Sequence, residues 1–178
     1  NSTVSYQPHD AIVVKPGQDL AAVVAAVPDN TRIYLADGTH TLASTVLLNG
    51  RTGISIEGGP NAIVAAPAAA DAFDISNGTD ITLRGFRING GGSSNYIIKC
   101  SGTRLKFVNL VVNGTASSST GIYFFDGSTS QDIVVRGCSF IGNISAGIIA
   151  QPGFLTTTIG ALRVTNCFMK AAAGISYD

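Results

Sequence analysis

Three polar side chains of chemically useful types recur at nearly one spacing in the middle of the chain. Asp74, Lys99 and Tyr123 lie 25 and 24 residues apart, and each has an apolar residue on either side. A carboxylate beside an ammonium group can transfer protons or bind hydroxyl groups, and a tyrosine ring offers a stacking surface. Asp126, just beyond Tyr123, is a further candidate acid. The plainer interpretation is a surface ion pair, worth ~0–1 kcal/mol, beside an exposed ring.

These positions belong to one of two ladders that share a period. The segments of the first ladder are Phe73-Asp74-Ile75, Ile98-Lys99-Cys100, Ile122-Tyr123-Phe124, Ile148-Ile149-Ala150 and Ile175-Ser176-Tyr177. The second ladder repeats the pattern apolar, x, apolar, x, Gly or Asn, apolar, x, apolar. Its copies start at Ile54, Ile81, Leu105, Ile133 and Leu162, with Gly58, Gly85, Asn109, Gly137 and Asn166 at the fifth position. The alternation predicts short strands, and the Gly or Asn predicts a tight turn at positive φ.

Two ladders with one period predict a solenoid. A single coil cannot bury its apolar face, but coils stacked at ~4.8 Å form parallel sheets around a dry core. We therefore predict an all-β fold, a right-handed parallel β-helix of three sheets and about five or six coils. A β-sandwich is disfavoured because sandwich strands lack one inward pattern at a fixed period. The predicted interior stacks are Phe73/Ile98/Ile122/Ile148/Ile175 and Phe86/Leu110/Cys138/Cys167, with reduced cysteines favoured over a Cys138–Cys167 disulfide.

The two ends of the solenoid differ. Residues 1–30 are predicted to form an N-terminal extension and a capping helix, which Asp19 starts and Pro28 stops. The β-helix is predicted over 31–178, where the final residues offer no comparable cap. Because solenoid ends need covering, we expect either a piece of a longer chain or an end that docks on a partner.

Composition excludes several classes of function. Charged residues make up 12% of the chain and the net charge is zero, without a Lys/Arg run, so neither nucleic acid nor an anionic membrane is an expected partner. No stretch approaches the ~18 apolar residues of a membrane span. His9 and His40 are far apart in sequence and belong to no cluster of several carboxylates or Cys, and the three Cys show no zinc pattern, so neither a metal site nor a cofactor is expected.

The segment from Gly17 to Leu42 resembles the opening of the pectate-lyase-like β-helix superfamily. There a capping helix leads into a first coil of the form Thr-x-Ile-x-Leu-x-x-Gly-Thr-x-x-Leu. The matching residues here are Thr31, Ile33, Leu35, Gly38, Thr39 and Leu42. The superfamily includes polysaccharide lyases, glycoside hydrolases, epimerases and phage tailspikes that act on bacterial surface glycans. The resemblance therefore implies the fold and leaves the activity open.

The resemblance also implies where a site would lie, because catalytic residues of such enzymes often face outward from one sheet. That face here would carry Asp74, Lys99 and Tyr123, and then Ile149 and Ser176. Glycosidases need two carboxylates ~5–9.5 Å apart. Asp126 would lie two coils from Asp74, at ~10 Å or more, and the direction of Asp71 is open.

Two further outward features are predicted from the ladders. Another sheet would carry a basic stripe made of Arg84, Lys106, Arg136 and Arg163. Glu57 would stack against Arg84, and Arg87 would lie nearby. Such a stripe is either a binding surface for an acidic polysaccharide or a solvated face. Outward apolar residues (Tyr123, Ile149, Val134, Val111 and Phe168) would suggest a partner surface, such as that of a side-by-side homotrimer.

The leading functional hypothesis is a glycan-recognising β-helix, able to cleave glycans if Asp74, Lys99 or Asp126 is catalytic. It would belong to a tailspike-like or secreted polysaccharide-acting protein, located outside the cell or on a virion surface. Tyr123 and the basic stripe would bind a bacterial or other polysaccharide. The alternative hypothesis is a structural spacer or trimer-assembly module without catalytic activity.

Overall fold

The computed structural model describes residues 10–92, 96–115, 119–125, 130–150, 162–170 and 173–177, the last range by its backbone alone. These ranges hold one helix, α1 (Leu20–Ala26), and short strands that all pair in parallel. In chain order the strands are β1 (Ile12–Val14), β2 (Arg32–Leu35), β3 (Gly38–Thr41), β4 (Val46–Leu47), β5 (Ser55–Gly58), β6 (Ala62–Ala65), β7 (Phe73–Thr79), β8 (Thr82–Arg84), β9 (Arg87–Asn89), β10 (Tyr96–Thr103), β11 (Lys106–Val108), β12 (Val111–Gly114), β13 (Thr120–Phe124), β14 (Ile133–Arg136), β15 (Ser139–Gly142), β16 (Ala146–Ala150), β17 (Leu162–Thr165), β18 (Phe168–Met169) and β19 (Ala173–Tyr177).

The strands form three sheets that the chain visits in rotation. Sheet A has the order β1-β2-β5-β8-β11-β14-β17, sheet B the order β3-β6-β9-β12-β15-β18, and sheet C the order β4-β7-β10-β13-β16-β19. Each circuit through A, B and C is one coil, and the next circuit pairs with it strand by strand. The predicted parallel β-helix is therefore confirmed as a β-solenoid of three parallel sheets.

The interior contains the apolar columns that the ladders predicted. Phe73, Ile98, Ile122 and Ile148 are aligned as register partners in sheet C, and all four are fully buried. Each column places identical kinds of side chain one strand spacing apart, which gives the core its continuous apolar contact. The register also aligns Ile175 of β19 with Ile148.

The second predicted stack ends in two cysteines. Phe86, Leu110 and Cys138 are fully buried, and Cys167 is partly buried. All the cysteines are free thiols, in agreement with the favoured interpretation. The Cys138 thiol donates to the Phe107 carbonyl at 3.4 Å, and burial raises its pKa to about 11. Such a thiol behaves as a small apolar side chain.

The N-terminal region closes the first coil with a helix and a strand. The Asp19 carboxylate accepts hydrogen bonds from the N–H groups of Ala21 and Ala22, as predicted for the start of α1. Leu20 and Val24 then face the core and are buried. Residues 1–30 also supply strand β1, which pairs with β2 and which the sequence did not reveal.

Arg51 fixes the other end of the helix. Its guanidinium donates to the carbonyls of Val24 and Val27 at 2.9 and 2.7 Å, and to the Asp29 carboxylate at 2.6 Å. These carbonyls have no partner within the helix, so a cation from the next coil satisfies them. The same guanidinium lowers the pKa of Asp29, first through the hydrogen bond between their side chains.

The corner between sheets A and B is made by a column of residues at positive φ. Gly85, Asn109, Gly137 and Asn166 all have φ between 52° and 84°, as the repeat predicted. The prediction for Gly58 was wrong, because Gly58 is the last residue of strand β5 and does not have positive φ. The chain bends later in this second coil, so Gly58 is still paired with Leu35 of the first coil.

A second column of this kind, which the ladders did not predict, makes the corner between sheets C and A. Its members are Asn30, Gly53, Asp80, Arg104 and Asp132, with φ between 53° and 69°. Each N–H in the first four donates to a carbonyl of the following coil. Positive φ disfavours an arginine, but Arg104 here forms two hydrogen bonds of 2.6 Å with the Asp80 carboxylate, which stabilise this conformation.

Alanine substitution at glycines with positive φ separates backbone strain from disruption of the coil stack. In Gly50→Ala the new methyl group meets open space, and only the left-handed backbone is strained. We expect a loss of ~1–2 kcal/mol in the free energy of unfolding. In Gly85→Ala the methyl group also meets the Gly58 carbonyl oxygen of the previous coil, and we expect a further loss of ~1–3 kcal/mol. Urea unfolding followed by circular dichroism measures both losses; equal losses would contradict the stacking at this corner.

Candidate functional site

The outer face of sheet C carries the predicted column of polar and aromatic residues. Asp74 and Tyr123 are the register partners of Lys99 on its two sides, and Ile149 follows Tyr123. The column begins one coil earlier with Leu47, which is 57% exposed and was not predicted. Ser176 occupies the last register position. Asp126 lies outside the described residues.

The aromatic part of this face is larger than the sequence suggested. The Tyr96 ring stacks on Tyr123 with centroids 3.9 Å apart and an interplanar angle of 8°. The Phe125 ring centroid lies 6.5 Å from that of Tyr123, with an interplanar angle of 24°. We call Tyr96, Tyr123 and Phe125 the aromatic cluster. Tyr96 belongs to β10, and Tyr123 and Phe125 lie in or just after β13 of the next coil, so the cluster bridges two coils.

Lys99 contacts the aromatic cluster rather than a carboxylate. Its Nζ atom lies 4.9 Å from the Phe125 centroid, within the range of a cation–π interaction. No ion pair joins Lys99 to Asp74 within the part of the chain that the structure describes. The plain interpretation of Asp74 and Lys99 as a surface ion pair is therefore wrong in this structure, although the two are adjacent as predicted.

The two carboxylates near Lys99 have different surroundings. The Asp74 carboxylate accepts hydrogen bonds from the N–H and the hydroxyl of Ser76, at 3.1 and 2.5 Å. Asp71 is half-buried beside them, and desolvation raises the pKa of its carboxyl. The Tyr96 N–H and the Lys99 charge oppose this rise in pKa, while the Asp74 charge adds to it. Asp71 therefore lies within electrostatic range of Lys99 and Asp74.

This arrangement combines apolar rings with hydrogen-bonding groups of both kinds. The rings offer flat apolar surface, the carboxylates of Asp71 and Asp74 accept hydrogen bonds, and the Lys99 ammonium donates them. Burial also favours the protonated form of the Asp71 carboxyl. The site can therefore bind a polyhydroxylated ligand, and it contains the group types that acid–base chemistry requires.

The predicted basic residues lie on the outer face of sheet A, but not in one column. Arg84 and Arg136 share a column with Val108 between them. Lys106 and Arg163 share the next column with Val134 between them. All four are exposed. Because they alternate between two columns, the predicted stripe is a zigzag of one cation per coil. Glu57 is the register partner of Arg84 as predicted, but its ion pair is with Arg32, at 3.6 Å.

The predicted exposed apolar residues are mostly shielded. Phe168 is 59% exposed, but Tyr123, Ile149, Val134 and Val111 are only partly exposed. Parallel stacking explains the difference, since each outward side chain packs between its register partners in the coils on either side. The outward apolar surface is therefore smaller than the alternation alone suggested.

Over the ranges that the structure describes, no three His, Cys, Asp or Glu side chains cluster as metal ligands would, and no helix is long and apolar enough to cross a membrane. Comparison with protein-family models, with curated proteins and with solved structures found no significant match. The parallel solenoid is thus established, and membership of the pectate-lyase-like superfamily stays a prediction.

The contacts of Asp71 predict how its carboxyl titrates. We expect a pKa above the ordinary value of 3.8, because burial disfavours the charged form. Lys99→Gln removes the neighbouring positive charge and raises this pKa further. Carbon NMR of the Asp71 carboxyl group measures both values, with Lys15→Gln as the control. A pKa at or below 3.8, or no response to Lys99→Gln, would contradict this geometry.

The raised pKa of Asp71 has a consequence for stability. A carboxyl whose pKa is higher in the folded state than in the unfolded state contributes stability at pH values below 3.8, and loses it as the pH rises through the folded pKa. Asp71→Asn removes this loss. We therefore expect the difference in free energy of unfolding, Asp71→Asn minus wild type, to increase as the pH rises from 3.8 through the folded pKa of Asp71. Urea titrations at several pH values measure this difference.

Proposed function

We propose that the outer face of sheet C binds a glycan. One observation carries the proposal: the aromatic cluster bridges two coils directly beside Asp71, Asp74 and Lys99. Sugars present apolar C–H faces together with hydroxyl groups, so a protein that binds them needs flat apolar surface next to donors and acceptors. On this face the Lys99 ammonium lies 4.9 Å from the Phe125 centroid, and Asp74 is the register partner of Lys99.

The low charge of the chain supports a hydroxyl-rich ligand. Charged residues make up 12% of the sequence, so most polar surface is hydroxyl and amide. The cation–π contact also holds Lys99 beside the rings, where its ammonium can donate to a sugar hydroxyl. In this account the exposed parts of the stacked Tyr96 and Tyr123 rings contact the apolar face of the sugar, and Asp74 and Asp71 accept hydrogen bonds from its hydroxyl groups.

The wider setting of this proposal is a tailspike-like or secreted polysaccharide-acting protein. It is supported by the parallel solenoid and by the first-coil pattern from Thr31 to Leu42, which resembles the pectate-lyase-like superfamily. The ligand would then be a bacterial or other polysaccharide, and the protein would work outside the cell or on a virion surface. A side-by-side homotrimer would suit such an appendage.

Cleavage of the bound glycan is a second candidate function, favoured by the different surroundings of the two carboxylates. Asp71 is the better proton donor because burial raises its pKa. Asp74, held by two hydrogen bonds from Ser76, is the better base or nucleophile. A reducing-end assay on wild type, Asp71→Asn and Asp74→Asn tests this role; products that persist in both variants would exclude it.

Substitution in the aromatic cluster tests glycan binding. We expect Tyr123→Ala and Tyr96→Ala each to weaken the binding of a neutral bacterial polysaccharide about tenfold, or ~1.4 kcal/mol. Either change removes one ring of the aromatic cluster and with it part of the surface that contacts the sugar. Tyr34→Ala is the matched control, since Tyr34 is a partly exposed tyrosine on the outer face of sheet A. Calorimetry against a panel of purified polysaccharides provides the measurement.

Two outcomes would count against this function. If no polysaccharide in the panel binds or is cleaved, the proposal fails, and a stable trimer in sedimentation experiments would then favour the structural spacer or assembly module. If Tyr34→Ala weakens binding as much as Tyr123→Ala, the ligand does not bind at sheet C. A sugar that protects Tyr96 and Tyr123 from chemical iodination, but not Tyr34, would support the site.

A further inference from the structure

Charge in this protein is separated along the solenoid axis. Residues 1–80 contain eight Asp or Glu and three Lys or Arg, which gives a net charge of −5. Residues 81–178 contain three Asp or Glu and eight Lys or Arg, which gives a net charge of +5. Since the coils stack in chain order, this division in sequence is also a division in space. The formal net charge of zero therefore conceals a basic half and an acidic half.

Most cations of the first half are neutralised by neighbours, whereas those of the second half mostly are not. Arg32 pairs with Glu57, and Arg51 pairs with Asp29. Arg104 pairs with Asp80 at the corner between sheets C and A. Arg84, Lys106, Arg136 and Arg163 form no ion pair in the ranges that the structure describes, and they are exposed. We call these four residues the basic zigzag.

The geometry of the basic zigzag is regular. One cation stands on each of the four consecutive strands β8, β11, β14 and β17, alternating between two outward columns. Adjacent coils are ~4.8 Å apart, so cations of the same column are ~10 Å apart along the axis. The outward positions between them hold threonines and valines, namely Thr82, Val108, Val134 and Thr165. No acid occupies the outer face of these four strands.

Three carboxylates border the face, and two of them are paired with arginines outside the basic zigzag. Asp132 lines a hollow of about 90 Å³ together with Ile133, Val134 and Arg163. Asp80 pairs with Arg104, which Asp132 also attracts. Glu57, the register partner of Arg84, pairs with Arg32. The face as a whole therefore keeps a positive charge.

We propose that the outer face of β8, β11, β14 and β17 binds a linear acidic polysaccharide that runs along the solenoid axis. Four cations that alternate regularly between two columns suit a chain with repeating carboxylate or sulfate groups, and the valines and threonines between them can contact the sugar rings. A single-stranded nucleic acid fits less well, because its binding grooves use stacked aromatic side chains, and the four strands present none on this face. The surface is separate from the sheet C site.

Titration with an oligouronate tests the proposal, with a neutral oligoglucan of equal length as the comparison ligand. We expect binding of the oligouronate whose log affinity falls linearly with log salt, because released counterions drive such binding. Arg84→Gln/Arg136→Gln should weaken binding at least tenfold and lower the salt slope. Arg32→Gln/Arg87→Gln is the matched control, since Arg32 pairs with Glu57 and Arg87 lies on sheet B, and it should change affinity less than the zigzag variant.

Three results would overturn the proposal. They are the absence of oligouronate binding at low salt, equal losses in the two double variants, and tighter binding of single-stranded DNA than of the oligouronate. All substituted residues are at the surface, and an unchanged thermal unfolding midpoint checks that each variant folds. Failure here would leave the sheet C proposal intact, since that proposal is measured with neutral glycans and tyrosine variants.

Discussion

Parallel hydrogen bonding between successive coils is the constraint on which every other feature of this protein depends. Each strand of a coil pairs with the strand one circuit later, so a residue's neighbour in space lies about one repeat away in sequence. A slip of one residue would exchange the inner and outer faces. Lys99 would then enter the core and Ile98 would face water. The buried column of Phe73, Ile98, Ile122 and Ile148 excludes such a slip.

The sequence predicted what depends on this period and one of the two corner columns. Both interior stacks, the helix N-cap at Asp19 and the turns at Gly85 and Asn109 followed from spacing and residue type. The second column of left-handed residues did not, because it mixes Asn, Gly and Asp, which favour turns, with Arg104, which does not. Gly58 shows the opposite error. It occupies the turn position of the repeat, so a turn was predicted there, but it is the last residue of strand β5.

The site was predictable only as far as it follows the register. Asp74, Lys99 and Tyr123 were aligned in advance because they occupy one ladder position. Tyr96 and Phe125 lie outside the three-residue ladder segments, so their stacking on Tyr123 depends on where the strand ends point. The division of charge along the axis, in contrast, was readable from the sequence. Counting charge over the whole chain, which gives zero, conceals it.

Contacts between isoleucine methyl groups of successive coils test the register most directly. In NMR spectra of protein with labelled isoleucine methyl groups, this account predicts strong Overhauser effects between Ile98 and Ile122 and between Ile122 and Ile148, since these pairs are register neighbours. Ile98 and Ile148 are two coils apart, ~10 Å, and should show a weak effect or none. Missing effects between register neighbours, or an equally strong effect between Ile98 and Ile148, would contradict the stacking and with it both proposed binding faces.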